Sequence, residues 1–177
     1  FDLPFETAQI FLDRLGVPQK RILALFGHEV PEAEHACAAL GINATTRKII
    51  TDTDGTEAGW KYWGLSEKSN SLPHPDTPTD PQTRITGTWL EVLVRIPVIL
   101  HRARLSYREL LAVIDTRFIN PEKTISIVMP VSDNVLDCDV SAMTITGLDE
   151  PAAGRFHRFV RLWRKTNLSI PELDQLL

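Results

Sequence analysis

The feature that most limits the folds open to this chain is a short phrase that occurs four times. Each copy runs leucine, then glycine or serine, then an apolar residue, and a short polar gap and an apolar pair follow; the copies cover residues 15–26, 40–50, 105–114 and 168–177. In each copy leucine can end one helix, glycine or serine can form the turn or cap, and the next helix can begin. The copies are unequally spaced, which argues against a solenoid repeat. We therefore expect a mainly α fold, an irregular bundle of helical hairpins.

The third copy belongs to residues 105–121, which predict one helix with signals at both ends. Ser106 can cap the start, and Glu109 occupies the reciprocal position of a capping box. Asn120-Pro121 should stop the helix, because the residue before proline is pushed away from α geometry. Apolar residues recur between these ends at helical spacing, and we expect four of them to face a core: Leu110, Leu111, Ile114 and Phe118. Truncation of Leu111 to alanine, if it is fully buried, should cost about 2–5 kcal/mol.

The first third of the chain predicts four short helices. Prolines stand near the starts of the first three, where a missing N–H is harmless, and glycines stand at their ends. The prolines are Pro4, Pro18 and Pro31, and the glycines are Gly16, Gly27 and Gly41. The fourth helix should cover residues 43–51.

Two later stretches break the helical pattern. Residues 66–88 combine four prolines with serine, threonine and aspartate and contain almost nothing apolar, so we expect a long, flexible surface loop there. Residues 123–147 are rich in β-branched residues that partly alternate, which predicts a small β-hairpin joined by the polar segment 132–139. The last helix should follow at about Pro151.

Size and composition fit one domain over residues 1–177. The chain is 43% hydrophobic, enough for a real core, and its net charge of -4 gives no general attraction to nucleic acid. No apolar run reaches the ~20 residues that span a bilayer. The sequence has no initiator methionine and no signal peptide, so we expect it to be part of a longer chain.

The residue patterns that usually carry chemistry are weak or missing. Residues 52–57, "DTDGTE", resemble a calcium loop, but the glycine and the last ligand are misplaced. The five histidines form no helical pair, and Asp137 and Asp139 beside Cys138 are no more than a neighbouring carboxylate pair. Neither a glycine-rich phosphate loop nor a nucleophile elbow is present. We therefore predict no catalytic, cofactor-binding or metal-binding residue, and no enzyme.

The last helix carries a marked charge pattern. Five basic residues fall within eleven positions with no acid among them: Arg155, Arg158, Arg161, Arg164 and Lys165. Phe156, Phe159, Val160 and Trp163 form an apolar stripe between them. The basic residues could pair within the fold, contact a neighbouring domain or subunit, or bind nucleic acid. The acidic net charge disfavours nucleic acid.

A second cluster lies in "GWKYWGL", residues 59–65. Trp60, Tyr62 and Trp63 indicate either a packed corner or a binding platform. Together with the five basic residues, they are the candidate interface.

Several motifs carry a family resemblance that covers nearly the whole chain, with the loop at 66–88 least involved. They are "LPFETAQIFLDRLGVP", "GWKYWGL", "LSYRELLAVIDTRFINP", "LDCDVSAMTITGL" and "RFHRFVRLWRKTNLSIPELDQLL", in this order. The chain resembles the A component of bacterial toxin complexes (Tc toxins), in the segment shared with Salmonella virulence plasmid A proteins.

The resemblance implies properties that the residues do not show by themselves. The family's A component is a very large, secreted, pore-forming chain that assembles as a homopentamer. Its channel carries a toxic payload across a membrane, and a mostly helical shell encloses the channel. The present segment looks like part of that shell, with other toxin domains and subunits as partners and a host receptor as a further possible one. A membrane would be met only through the assembled toxin, and no catalytic motif or cofactor belongs to this region.

Two functions follow as hypotheses. The first is a non-catalytic structural segment of the toxin shell. The alternative is an autonomous helical protein-binding module that uses the basic C-terminal helix. An exposed apolar patch at residues 89–100 and 155–165 would indicate missing neighbours and favour the first hypothesis.

Overall fold

The structure is a computed structural model that describes residues 2–27, 29–51, 58–74, 77–129 and 140–177. Within these ranges the chain is mainly helical, as the sequence predicts, and carries two small antiparallel β-hairpins. The chain forms two compact units, and each is described by itself. Unit 1 comprises Phe1–Asp52 and Arg161–Asn167, and unit 2 comprises Thr53–Val160 and Leu168–Leu177.

Unit 1 contains the four short helices predicted for the first third of the chain. They are α1 (Leu3–Arg14), α2 (Gln19–Phe26), α3 (Glu32–Leu40) and α4 (Ala44–Thr51). The side chain of Asp2 caps α1 by accepting a hydrogen bond from the Phe5 N–H at 3.1 Å. Gly41 ends α3 with a φ of 60°, a left-handed conformation that glycine adopts without a steric penalty. The helix boundaries thus follow from local residues.

The helices of unit 1 pack loosely. None of the residues described in α1, α2, α3 or α4 is buried. Six large apolar side chains are more than half exposed, and we call them the N-terminal apolar set: Leu3, Ile10, Phe11, Leu15, Leu25 and Phe26. Polar contacts connect the helices instead, such as the hydrogen bond from Gln9 to Gln19 at 2.6 Å. Unit 1 as described therefore has almost no hydrophobic core of its own.

Unit 2 holds the remaining helices and the strands. The helices are α5 (Gly59–Tyr62), α6 (Trp89–Leu93), α7 (Ile96–Ala103), α8 (Tyr107–Ile114), α9 (Glu150–Trp163) and α10 (Ile170–Leu176), with the last residues of α9 assigned to unit 1. Strands β1 (Asn70–Leu72) and β2 (Ile85–Gly87) form one hairpin, and β3 (Ser126–Val128) and β4 (Thr144–Thr146) form the other. Its core comes mainly from α6, α7, α8 and α9. The largest fully buried side chains include Leu93, Ile96, Ile99, Leu110, Ile119, Phe156 and Phe159.

Helix α8 confirms the predicted start but ends earlier than predicted. The Ser106 hydroxyl and the Glu109 carboxylate form the reciprocal capping box. The helix ends at Ile114, with Asp115 as its C-cap, and does not reach Asn120. The turns after Asp115 are held by long-range hydrogen bonds, which the local pattern could not show.

The prediction that Leu111 faces the core is wrong. Leu111 is 44% exposed, whereas its neighbour Leu110 is fully buried. Successive residues of a helix point about 100° apart, so two adjacent leucines cannot both occupy the centre of a buried face. Phe118, also expected in the core, is half-buried and packs against Phe159 with ring centroids 6.0 Å apart.

The sequence predicted a loop over the whole of residues 66–88, but part of this stretch forms strands. Strands β1 and β2 pair antiparallel within them, with Asn70 opposite Gly87. The buried amide of Asn70 accepts from the Ser66 N–H at 2.8 Å and donates to the carbonyl oxygens of Ser66 and Gly87. Side-chain hydrogen bonds therefore order a stretch whose composition offers few apolar contacts.

The predicted hairpin at 123–147 is confirmed in its two strands. Ile127 lies opposite Ile145, and Ser126 lies opposite Thr146. The polar connecting segment 132–139 lies outside the described residues. Gly147 follows β4 with a φ of 76°, and a Cβ there would lie 2.4 Å from the carbonyl oxygen of Thr124.

Reciprocal capping boxes begin three helices of unit 2. The pairs are Thr88 with Glu91 in α6, Ser106 with Glu109 in α8, and Ser169 with Glu172 in α10. The Glu91 carboxylate accepts hydrogen bonds from the backbone N–H and the hydroxyl of Thr88. Both lower the pKa of Glu91, and the backbone bond has the larger effect. Hydrogen bonds from the hydroxyl and the backbone N–H of Ser169 likewise lower the pKa of Glu172, and the hydroxyl bond has the larger effect. The hydrogen bonds at these two helix starts therefore stabilise the ionised forms of Glu91 and Glu172.

Candidate interaction sites

The aromatic corner at residues 59–65 packs against helix α9 within unit 2. Trp63 is buried and contacts His157 edge-on, with ring centroids 5.2 Å apart, and Phe156 at 5.8 Å. Tyr62 stacks on His157 at 5.3 Å with an interplanar angle of 10°. Trp60 is half-buried, and the ammonium of Lys61 lies 5.3 Å from its ring centroid. The corner therefore contributes Trp63 to the core and leaves Trp60 and Tyr62 partly accessible.

The basic residues of the last helix interact within the structure. Arg155 is half-buried and donates from Nη2 to the carbonyl oxygen of Ile119 at 3.2 Å. Lys165 is exposed and donates from Nζ to the carbonyl oxygen of Gly41 at 2.9 Å. Each of the other three also takes part in an interaction: Arg158, Arg161 and Arg164. All five basic residues therefore have interactions within the chain.

The apolar residues near this helix are mostly covered. Phe156, Phe159 and Val160 are buried, and so are the large apolar side chains at most positions of 89–100. The patch that would have indicated missing neighbours is therefore not found in these two segments. Exposed apolar residues lie elsewhere. Six form the N-terminal apolar set, and unit 2 exposes others, which include Leu111, Val128, Met129 and Leu176.

Two polar side chains, whose hydrogen bonds the sequence did not predict, hold the turns after α8. Asn120 is buried; it donates to the carbonyl oxygens of Ile114 and Ile125 and accepts from the Ile125 N–H at 3.0 Å. The carboxylate of Asp174 accepts from the N–H groups of Arg117 at 2.9 Å and Phe118 at 2.8 Å. The sequence indicated Asn120 only as part of the Asn-Pro helix stop. Nothing near Asp174 in sequence indicates a partner more than fifty residues away.

Unit 2 also contains two cavities that the sequence did not predict. One, of about 290 Å³, is lined by Leu72, Pro73, Pro78, Val98, His101 and Arg102. The other, of about 310 Å³, is lined by His74, Arg84, Ile85, Thr86, Arg95 and Ser141, and we call it the two-arginine cavity. The first is mainly apolar, and the second brings basic and hydroxyl groups together.

Some sequence features considered for chemistry lie outside the described residues. They are the calcium-like turn at 52–57, His28, and the Asp137, Cys138 and Asp139 group. Within the described ranges, no group of three or more histidine, cysteine, aspartate or glutamate residues is placed to hold a metal ion. In the same part of the chain, no helix has both the length and the apolar character needed to cross a membrane.

Comparison of the chain with protein-family models, with curated proteins and with solved structures finds no match.

Proposed function

We propose that the chain is a non-catalytic structural segment of the helical shell of a toxin A subunit. The observation that carries the proposal is the N-terminal apolar set, whose six side chains are 56–79% exposed. Monomeric soluble proteins rarely expose contiguous apolar patches larger than a few hundred Å², and larger exposed patches mark sites of association. A shell segment meets this condition because neighbouring parts of the shell would cover these helices. The motif resemblance is the reason to assign this shell to a Tc toxin.

The spacing of these residues supports an association role for α1. Ile10 and Phe11 follow Leu3 by seven and eight positions, which places all three on one broad side of the helix. Complete burial of a leucine, isoleucine or phenylalanine side chain is favourable by about 1.5–3 kcal/mol. The six side chains are 56–79% exposed, so covering the whole set would contribute on the order of 6–12 kcal/mol, enough to hold a segment against its neighbours.

The alternative, an autonomous module that binds partners through the basic helix, has less support. It requires basic groups and aromatic residues that are available to a partner. Arg155 and Lys165 donate to backbone carbonyl groups of the same chain, and Trp63 lies in the core. Arg164 is exposed, and Trp60 and Tyr62 are half-buried, so parts of such an interface remain accessible.

Light scattering and dye binding test the shell proposal. The 177-residue chain is compared with the full-length gene product, for molar mass and for fluorescence of an apolar-surface dye. We expect the isolated chain to self-associate and bind dye, and the full-length product to bind less dye per segment because its neighbours cover α1 and α2. The double variant Phe11→Ser/Phe26→Ser should lower association and dye binding of the isolated chain without lowering its melting temperature.

Leu176→Ser is the matched control, because Leu176 is 72% exposed but lies in unit 2. It should leave association unchanged. A gene product no longer than this chain, monomeric and without dye binding, would overturn the proposal. Equal effects of the control and the double variant would also contradict it, since the association would then not depend on α1 and α2.

A further inference from the structure

Helix α1 and its C-cap residue turn an apolar side toward solvent. Successive residues of a helix point about 100° apart, and on this geometry eight exposed residues fall within an arc of about 160°. We call them the α1 face. Six are apolar: Leu3, Pro4, Ala8, Ile10, Phe11 and Leu15. Thr7 and Arg14 complete the face, and the half-buried residues Phe5, Gln9 and Leu12 lie on the other side of the helix. A surface helix ordinarily turns its apolar stripe toward its own core, so the α1 face is arranged to be covered from outside.

The α1 face complements a reversed copy of itself. Leu3 and Leu15 stand at its two ends, and Thr7 and Phe11 lie between them at intervals of four residues. In an antiparallel pair of α1 helices with a two-fold axis near position 9, Leu3 of one copy lies beside Leu15 of the second copy. Thr7 of one copy then lies beside Phe11 of the second copy, so a small side chain meets a large one on both sides of the axis. A parallel pair would instead place Arg14 against Arg14, where like charges repel.

The exposed apolar area is large enough for such a pair. Leu3, Ile10, Phe11 and Leu15 are 61%, 56%, 62% and 72% exposed. At about 200 Å² for a fully accessible residue of this size, they present roughly 500 Å² on each copy. Pairing would therefore bury roughly 1,000 Å² in total, which is about the lower bound for a specific protein interface.

We propose that the α1 face docks a second copy of this chain as an antiparallel helix pair. The inference rests on the association role proposed above for α1, and it names the partner that the isolated chain selects. A two-fold contact uses the same face on both copies, so it closes on itself and does not recruit a third copy. In the full-length product, neighbours that cover α1 would compete with this pairing.

Cysteine crosslinking tests the orientation of the two helices. In the 177-residue chain with Cys37→Ser and Cys138→Ser, the variants Leu3→Cys and Leu15→Cys are prepared separately and then mixed under mild oxidation. We expect a disulfide between the two variants. Either variant alone should form little, because antiparallel pairing separates equivalent positions at the helix ends by about 18 Å along the axis, too far for a disulfide.

Light scattering over a range of concentrations tests the contact without cysteines. We expect a mass that rises toward twice that of the chain. Thr7→Lys should weaken pairing about tenfold or more, because it places a charge inside the contact. Asp13→Asn is the matched control: it changes the net charge equally, and the exposed Asp13 lies about 120° around the helix from Thr7. Thermal melts check that each variant folds.

The outcomes separate this inference from the proposed function. Disulfides within each variant alone, self-association without the mixed disulfide, or equal effects of Thr7→Lys and Asp13→Asn would each overturn the antiparallel contact and leave the association role of α1 intact. A chain that stays monomeric would also overturn the inference. The proposed function fails only if the dye test fails as well.

Discussion

Replacement of Asn120 by alanine tests how the end of α8 is joined to the β3–β4 hairpin. The Asn120 side chain donates to the carbonyl oxygens of Ile114 at 3.2 Å and Ile125 at 2.9 Å, and it accepts from the Ile125 N–H at 3.0 Å. It is 3% exposed, so water cannot readily replace these bonds. One amide thus connects the last residue of α8 to the residue before β3.

The expected loss of stability follows from these three bonds. A net contribution of about 1 kcal/mol for each gives about 3 kcal/mol. The buried N–H of Ile125 loses its partner, and an unsatisfied buried group costs about 1–3 kcal/mol more. We therefore expect Asn120→Ala to lower the free energy of unfolding by about 4–6 kcal/mol.

Urea unfolding followed by tryptophan fluorescence measures this loss, because Trp60, Trp63 and Trp89 all lie in unit 2. With a urea slope of about 2 kcal/mol/M, the midpoint should fall by about 2–3 M. Gln175→Ala is the control: Gln175 is exposed in unit 2, and its substitution should change stability by less than about 0.5 kcal/mol. A loss below about 1 kcal/mol for Asn120→Ala, or a loss equal to the control's, would refute the reasoning.

Three further predictions concern other parts of unit 2. Leu110→Ala should cost about 2–5 kcal/mol, and Leu111→Ala less than about 1 kcal/mol, in the same urea assay, because only Leu110 is buried; equal costs would contradict the assigned helix face. Gly147→Ala should cost about 2–5 kcal/mol in thermal melts, since it combines a left-handed φ with a contact of 2.4 Å to the carbonyl oxygen of Thr124, and unchanged melting would contradict that geometry. The lowered pKa of Glu91 means that its stabilising effect is present above the unfolded pKa of about 4.3 and is lost as the pH falls through the folded pKa. Glu91→Gln should therefore make stability less dependent on pH in acid, and an unchanged pH profile would count against this role.

Local features of the fold could be predicted from the sequence. The capping box of α8 depends on Ser106 and Glu109, which are three residues apart, and the short helices of unit 1 depend on nearby proline and glycine. Such signals act within one turn of the chain, so the residues alone carry them.

Features that depend on distant residues could not be predicted in this way. The buried side of α8 depends on which neighbours surround it, so Leu110 and Leu111 could not be separated by periodicity. Strands β1 and β2 depend on hydrogen bonds of Asn70 to residues up to seventeen positions away, where composition indicated only a loop. The two-arginine cavity likewise draws its residues from positions 74–141.

The three capping boxes of unit 2 also bear on how the chain reaches this fold. Helices α6, α8 and α10 have five, eight and seven residues. Isolated helices shorter than about 12–15 residues are marginal in water, so none of the three should persist alone. Each box nevertheless fixes the residue at which its helix begins, before distant segments come together. Long-range packing then has fewer helix boundaries to select among, which disfavours misaligned pairings of the helices.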